Sequence, residues 1–368
     1  MWQTKSTALF KIVVNIYCID KVLLFLGGIF QSSRAKMTDE MSSRSLFITV
    51  VEVFSILTLN ILSLTGNTLV CIAVFKNVRL RSTTNLYIVA LALSDLLSAI
   101  FVMPFVCGVL VASKWVFGDV VCQFHAFFSL FVIYVSPVIM GLTAVNRYVR
   151  MCKPDEIYRR WFSKRKSIAF LTSAWIVVAC YVAIPRFADL QEHRFIPGYA
   201  QCSLGHHSNA EKKIHYCIVL VLFFLTPLIT TVSCYRKVGR MIRQHNENSS
   251  TNIQQGVNTG ISRHEINISK SLFAVVFAFM VCWVPFWIIV ILRRFFLEEK
   301  MPRNVELLCM FLFYFSNTIN PFVYAGMNST FRREFRKILL LKRCRRDTVT
   351  FGREGANTRS EHAQQPIR

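Results

Sequence analysis

Charge is scarce in this chain, and negative charge is scarcest. Only 17% of its 368 residues are charged, where soluble proteins carry about a quarter, and 20 acids face 43 lysines and arginines. Hydrophobic residues make up 54% of the chain, and the mean hydropathy is +0.43. So few charges cannot cover that much apolar surface, which excludes a water-soluble domain. Also missing is any spacing of Ser, His and Asp that builds a nucleophile beside a base, so no enzyme is expected. Internal repeats are absent, as is a second membrane-depth acid on a continuous polar path with Asp95. Both absences count against a seven-helix transporter or channel using Asp95 as its ion site, the alternative kept open at this point.

What the chain does have is apolar runs, at about 47–75, 84–112, 120–146, 167–185, 213–235, 268–292 and 304–326. Each has the roughly 20 residues a helix needs to cross a bilayer and is too long for a barrel strand. Lipid offers backbone groups no partner, so the runs are read as helices. The expected fold is an all-α membrane protein: a seven-transmembrane bundle over 47–326, then a short amphipathic helix over 327–345 and a cytoplasmic tail over 346–368.

The basic residues sort by side. Arg150, Lys153, Arg159, Arg160 and Lys164–Lys166 follow the third run, and the tail after the seventh is similar. Loops on the other side mix signs, as in Arg186, Asp189, Glu192 and Arg194. The positive-inside rule then puts the N-terminus outside and the C-terminus in the cytosol. This accounts for most of the net charge of +23 without nucleic acid. In the N-terminal 1–46, residues 8–30 are apolar but interrupted by Lys11, Asp20 and Lys21. A cleaved or mis-started segment is favoured there over an eighth span.

Polar residues at bilayer depth are functional candidates. Asp95 is joined by Asn67, Ser136, Asn317 and Asn320 on other runs. Such a set either binds a small hard cation or forms a hydrogen-bond cluster, and both readings stay open. Pro137, Pro227, Pro285 and Pro321 lie inside runs, where each permits a kink. His206 and His207 in one loop are read as solvated rather than metal-binding, and Cys344 in LKRCRRD is either a palmitoylation site or a free thiol.

The motifs come in order: GNTLV, LALSD, Trp115 to Gly118 with Cys122, NRY at 146–148, Trp175, Pro227 and Tyr235, CWVP, and NPFVY. Together they resemble the rhodopsin-like (class A) G-protein-coupled receptors over about residues 47 to 345. The resemblance implies a plasma-membrane receptor whose extracellular ligand shifts the bundle toward activating a heterotrimeric G protein, with arrestin and receptor kinases as further partners. It implies a Cys122–Cys202 disulfide, a sodium site at Asp95, Ser136 and Asn320 with no other cofactor, and a pocket of Ser129, Ile133, Phe286, Trp287, Met310 and Tyr314 above Trp283. It implies a coupling switch of Asn146, Arg147, Tyr148, Tyr235, Asn320, Pro321 and Tyr324. The stretch after Asn328 matches the family's eighth helix, with Phe331, Phe335, Ile338 and Leu339 on one face and basic residues toward anionic lipid.

The chain departs from the pattern in two places. Asn146 replaces the usual acid beside Arg147, as in melatonin receptors, although NPFVY keeps a Pro where those typically carry Ala. Glu265 stands where the family's sixth-helix acid sits and is the expected partner of Arg147. Pro137 replaces a branched aliphatic that packs with Pro227 and Phe279. Ser129 stands where amine receptors carry Asp, and Tyr314 where opsins carry the retinal lysine. The pocket therefore suits a neutral small molecule or a peptide better than a monoamine or retinal.

Overall fold

The computed structural model of the chain describes residues 41, 43–188, 191–251, 263–296 and 301–340. Among them are seven helices long and apolar enough to cross a membrane. The first span is α1 (Leu46–Lys76), and the second is α2 (Thr83–Phe101) followed by α3 (Met103–Ala112). The third is α4 (Gly118–Cys152); a short α5 (Asp155–Trp161) then leads to the fourth, α6 (Lys164–Phe187). The fifth comprises α7 (Asn209–Val219), a π-helical stretch at Leu220–Leu225 and α8 (Thr226–Thr251). The sixth is α9 (Arg263–Ile291) with a π-helical end at Leu292–Phe296, and the seventh is α10 (Arg303–Met327). The amphipathic α11 (Ser329–Leu339) follows.

Serine starts four of these helices. Ser45, Ser82, Ser163 and Ser208 each accept a hydrogen bond from the backbone N–H three residues on, satisfying a donor the helix itself leaves open. The second span breaks at Val102, just before Pro104, a proline the sequence reading did not single out. Pro137, in contrast, sits within an unbroken α4. Gly118 takes φ +79 in the turn before α4, a left-handed conformation suited to glycine, and its carbonyl accepts from Trp115 Nε1 at 2.9 Å.

Burial orders the bundle. The apolar window of the third span is 78% buried and that of the seventh 67%, against 17% for the first and 22% for the fourth. The third span is thus the central post, and the outer spans turn Phe54, Phe75, Ile176, Val177 and Ile229 outward. An apolar surface of that extent requires lipid around it. Close approach of the first and seventh spans depends on Gly66, where a Cβ would fall 2.9 Å from Pro321 Cγ. On α11, Phe331 and Phe335 are buried and Ile338 is half-buried, while Leu339 is exposed.

Between the fourth and fifth spans lies an antiparallel hairpin, β1 (Glu192–Ile196) and β2 (Gln201–Gly205), with Phe195 opposite Cys202. The Cys122–Cys202 disulfide ties it to the start of α4, with the Cα atoms 5.4 Å apart.

Candidate functional site

Three linked polar zones run along the bundle, from the disulfide end to the Arg147 end. The first gathers the expected pocket residues. Ser129, Ile133, Trp283, Phe286, Trp287, Met310 and Tyr314 are all buried. Gln201, which the sequence reading missed, joins three of them. Its Oε1 accepts from Ser129 Oγ at 3.3 Å and from Tyr314 OH at 3.0 Å, and its Nε2 donates to Met310 Sδ at 3.0 Å. Gln201 lies one position before Cys202, so the disulfide that anchors β2 also inserts this amide between the third and seventh spans. Its proximity to Cys202 was the available signal. Every polar group in this contact set is uncharged.

Around that pocket the disulfide end is clasped by buried ions, also unread in the sequence. Glu52 of the first span takes a bidentate hold from Arg303, with Nη1–Oε1 at 2.8 Å and Nη2–Oε2 at 2.9 Å. Arg44 pairs with the same carboxylate and donates to the Leu110 carbonyl and Ser113 Oγ, both at 2.9 Å. Burial and the nearby Arg303 charge both lower the Arg44 pKa, while Glu52 opposes them. Arg293 pairs with the buried Glu306 and lies 4.5 Å from the centre of the Tyr199 ring.

The middle zone begins beneath the pocket. Trp283 Nε1 donates to Ser316 Oγ at 3.1 Å, and Asn67 Nδ2 donates to the Asn317 carbonyl at 3.0 Å. Asn320 Nδ2 donates to Asp95 Oδ2 at 2.9 Å, and Ser136 meets Ser94, the neighbour of Asp95, at 3.5 Å. Asn67 Oδ1 and Ser98 Oγ are buried with no hydrogen-bond partner among the described residues. A buried carboxylate with hydroxyl and amide oxygens on adjoining helices is the donor chemistry of a small hard cation. Pro137, Pro227 and Phe279 line one small void of about 10 Å³.

At the far end Arg147 is buried, 1% exposed, and its Nη2 donates to Thr84 Oγ1 of the second span. Thr84 Oγ1 donates in turn to Asn146 Oδ1 at 3.0 Å, and Asn146 Nδ2 reaches Tyr158 OH of α5 at 3.5 Å. The Thr84 hydroxyl thus links the Arg147 guanidinium to the Asn146 amide. Tyr235 is buried, its ring 6.0 Å from that of Phe273, and Tyr324 stacks on Phe331 of α11 at 5.5 Å. Lys237 Nζ lies 5.1 Å from the centre of the Tyr148 ring. The side chain of Glu265 and all of Cys344 lie outside the described residues, as do the 8–30 stretch and the 346–368 tail.

Residues 66–324 match the family model described as 7 transmembrane receptor (rhodopsin family). The chain belongs to the rhodopsin family of seven-transmembrane receptors. The receptor is 25% identical over 325 residues to melatonin receptor type 1C of Xenopus laevis, covering 86% of this chain and 74% of that one. It is 27% identical over 310 residues to the human histamine H2 receptor, covering 82% of each. Squid rhodopsin shares the fold, with a TM-score of 0.72 over 84% of this chain and 91% of that one at 17% identity. Membership implies a multi-pass receptor with an extracellular ligand and a G protein as its partner. The two relatives carry different ligands in their names at nearly equal identity, so likeness alone does not choose a ligand.

Proposed function

We propose that the receptor resides in the plasma membrane with its disulfide end outward and binds an uncharged small molecule or a peptide in the pocket above Trp283. The observation that carries this is the neutral hydrogen-bond set at Gln201: two hydroxyls, one amide and one thioether, with no charged partner. A site built from such groups rejects a bare charge, which would lose its water without gaining a counter-ion. Ligand binding is a differential affinity for two packings of the helices. Trp283, bonded to Ser316 on the seventh span, is positioned to carry the change toward Asn320, Pro321 and Tyr324. Tyr235, Arg147, Asn146 and Tyr148 then form the face offered to a heterotrimeric G protein, with Glu265 as a further restraint on Arg147. Sodium at Asp95, Ser136 and Asn320 stabilises the uncoupled packing. Arrestin and receptor kinases act on the same end, and palmitoylation of Cys344 anchors the segment after α11.

A ligand panel read by several G-protein biosensors in cells tests this reading. At least one ligand is expected to raise one sensor in a dose-dependent way. Silence in all sensors, basal and stimulated, despite surface expression, together with ion or solute flux through the protein, would overturn it in favour of a transporter.

A further inference from the structure

Gln201 sits in the pocket as a guest would. Its side chain comes from β2, yet its polar partners are all on the bundle: Ser129 on the third span, Met310 and Tyr314 on the seventh. Gln201, Ser129 and Tyr314 are each 1% exposed. Two hydroxyls converge on one oxygen, with Ser129 Oγ donating to Gln201 Oε1 at 3.3 Å and Tyr314 OH at 3.0 Å. The amide nitrogen in turn donates to Met310 Sδ at 3.0 Å. Two donors facing an oxygen and one acceptor facing a nitrogen form the complement of a carboxamide. A carboxylate would set a charge and a second oxygen against the thioether, and a ketone would bring no donor for it.

The hold on Gln201 is one that an incoming molecule can better. A thioether is a weak acceptor, and the 3.3 Å bond from Ser129 is long for one hydroxyl meeting one oxygen. A donor also stays open in the same pocket. Trp287 packs edge-on against Phe286, which packs against Trp283. Its Nε1 is buried with no acceptor among the described residues. A buried donor left unmade carries its desolvation cost in full, so an occupant with a second acceptor gains a bond that Gln201 does not offer. The Gln201 amide hangs on a flexible side chain, so it can withdraw while Cys202 stays tied to Cys122.

We propose that the pocket recognises a carboxamide, and that the ligand carries an uncharged amide whose oxygen takes the Ser129 and Tyr314 bonds from Gln201. This rests on the neutral-pocket reading above and narrows it to one functional group. A terminal carboxamide and a backbone peptide bond share that chemistry. Gln201 is then a resident stand-in that keeps the polar groups paired between binding events, and the ligand competes with it.

Chemical rescue tests this. Gln201→Ala removes a fragment the size of acetamide, so the purified full chain carrying it is titrated in lipid nanodiscs with acetamide, N-methylacetamide, acetone or acetate while thermal unfolding is followed. Saturable stabilisation by acetamide is expected, weaker in wild type, where Gln201 competes, and absent with acetone and acetate. Adding Tyr314→Phe to Gln201→Ala should raise the half-saturating concentration by up to about tenfold, the loss that goes with one hydrogen bond. Acetamide acting alone assigns the site to a terminal carboxamide; N-methylacetamide acting as well assigns it to a peptide bond too. If Gln201→Ala does not fold unaided, the yield of folded protein recovered in acetamide against acetone is the readout. No signalling enters, so failure of the receptor reading leaves the result standing. No saturable effect of either amide, an equal effect of acetone, an equal effect in wild type, or an unchanged value with Tyr314→Phe would overturn the carboxamide assignment, leaving the uncharged pocket to the biosensor test.

Discussion

Arg147 donates to the hydroxyl of Thr84, and that hydroxyl donates to Oδ1 of Asn146. The second span therefore supplies one acceptor for a guanidinium that is 1% exposed. A hydroxyl brings no opposing charge, so it offsets less of the cost of burying a cation than a carboxylate does. A hydrogen bond to a charged group contributes about 1.5–3 kcal/mol, enough to hold the side chain yet open to competition.

Gly66→Ala should destabilise the receptor by about 1–3 kcal/mol, the range for forcing extra volume into a packed interface. The added Cβ would sit 2.9 Å from Pro321 Cγ, on a ring that cannot rotate away. Gly239→Ala is the control, since its Cβ meets nothing within 4 Å. Thermal unfolding of both variants checks the difference; equal midpoints would refute the close-approach argument.

Glu52→Gln should cost about 3–5 kcal/mol, as expected when one partner of a buried ion cluster is removed. Arg44 and Arg303 would be left facing each other across a neutral amide, with side chains only 5% and 3% exposed. Unfolding midpoints of Glu52→Gln against Glu52→Asp measure it, and an unchanged midpoint in Glu52→Gln contradicts the clasp.

Gln201→Leu keeps the bulk and removes the acceptor shared by Ser129 and Tyr314. Two lost hydrogen bonds at about 0.5–1.5 kcal/mol each predict a modest fall in stability. The same variant should change ligand potency once a ligand is known, because the amide sits among the pocket residues. Unaltered stability and potency together would remove Gln201 from the site.

His193 is one source of pH dependence. Burial, helped by the nearby Arg186, pushes its pKa down to about 4. Its ring nitrogens have no hydrogen-bond partner among the described residues. A depressed histidine favours the folded state while neutral, so its contribution is full above about pH 6.5 and is lost as pH falls toward 4. Stability of the native chain should drop across that window, and His193→Gln should flatten the drop. An identical profile in the variant would show that His193 does not contribute to the drop.

The seven spans were legible because each run has about the length a bilayer crossing needs and is bounded by charge or by a capping serine. The disulfide and the Asp95–Asn320 contact followed from ordered motifs. What escaped reading were contacts that depend on which helices are neighbours. Arg303 and Glu52 lie 251 positions apart, and nothing in a single chain's hydropathy says that the first and seventh spans touch there. Thr84 was hidden for the same reason, as an ordinary hydroxyl on one helix made important by Arg147 on another. Gln201 was within reach, since a residue beside a cysteine clamped to the third span has to enter the bundle or pack above it.

We propose that this receptor activates a G protein through Arg147, which Thr84 and Glu265 restrain in the uncoupled packing. Ligand-free nucleotide exchange on a panel of heterotrimers, in membranes with matched amounts of receptor, tests it most directly. Wild type should exceed receptor-free membranes with at least one heterotrimer. Thr84→Ala and Glu265→Gln should each raise that rate, by up to about tenfold for the loss of one charge-assisted hydrogen bond, and Arg147→Ala should abolish it. No exchange above background in any of the four proteins, or rates in Thr84→Ala and Glu265→Gln equal to wild type, would contradict it.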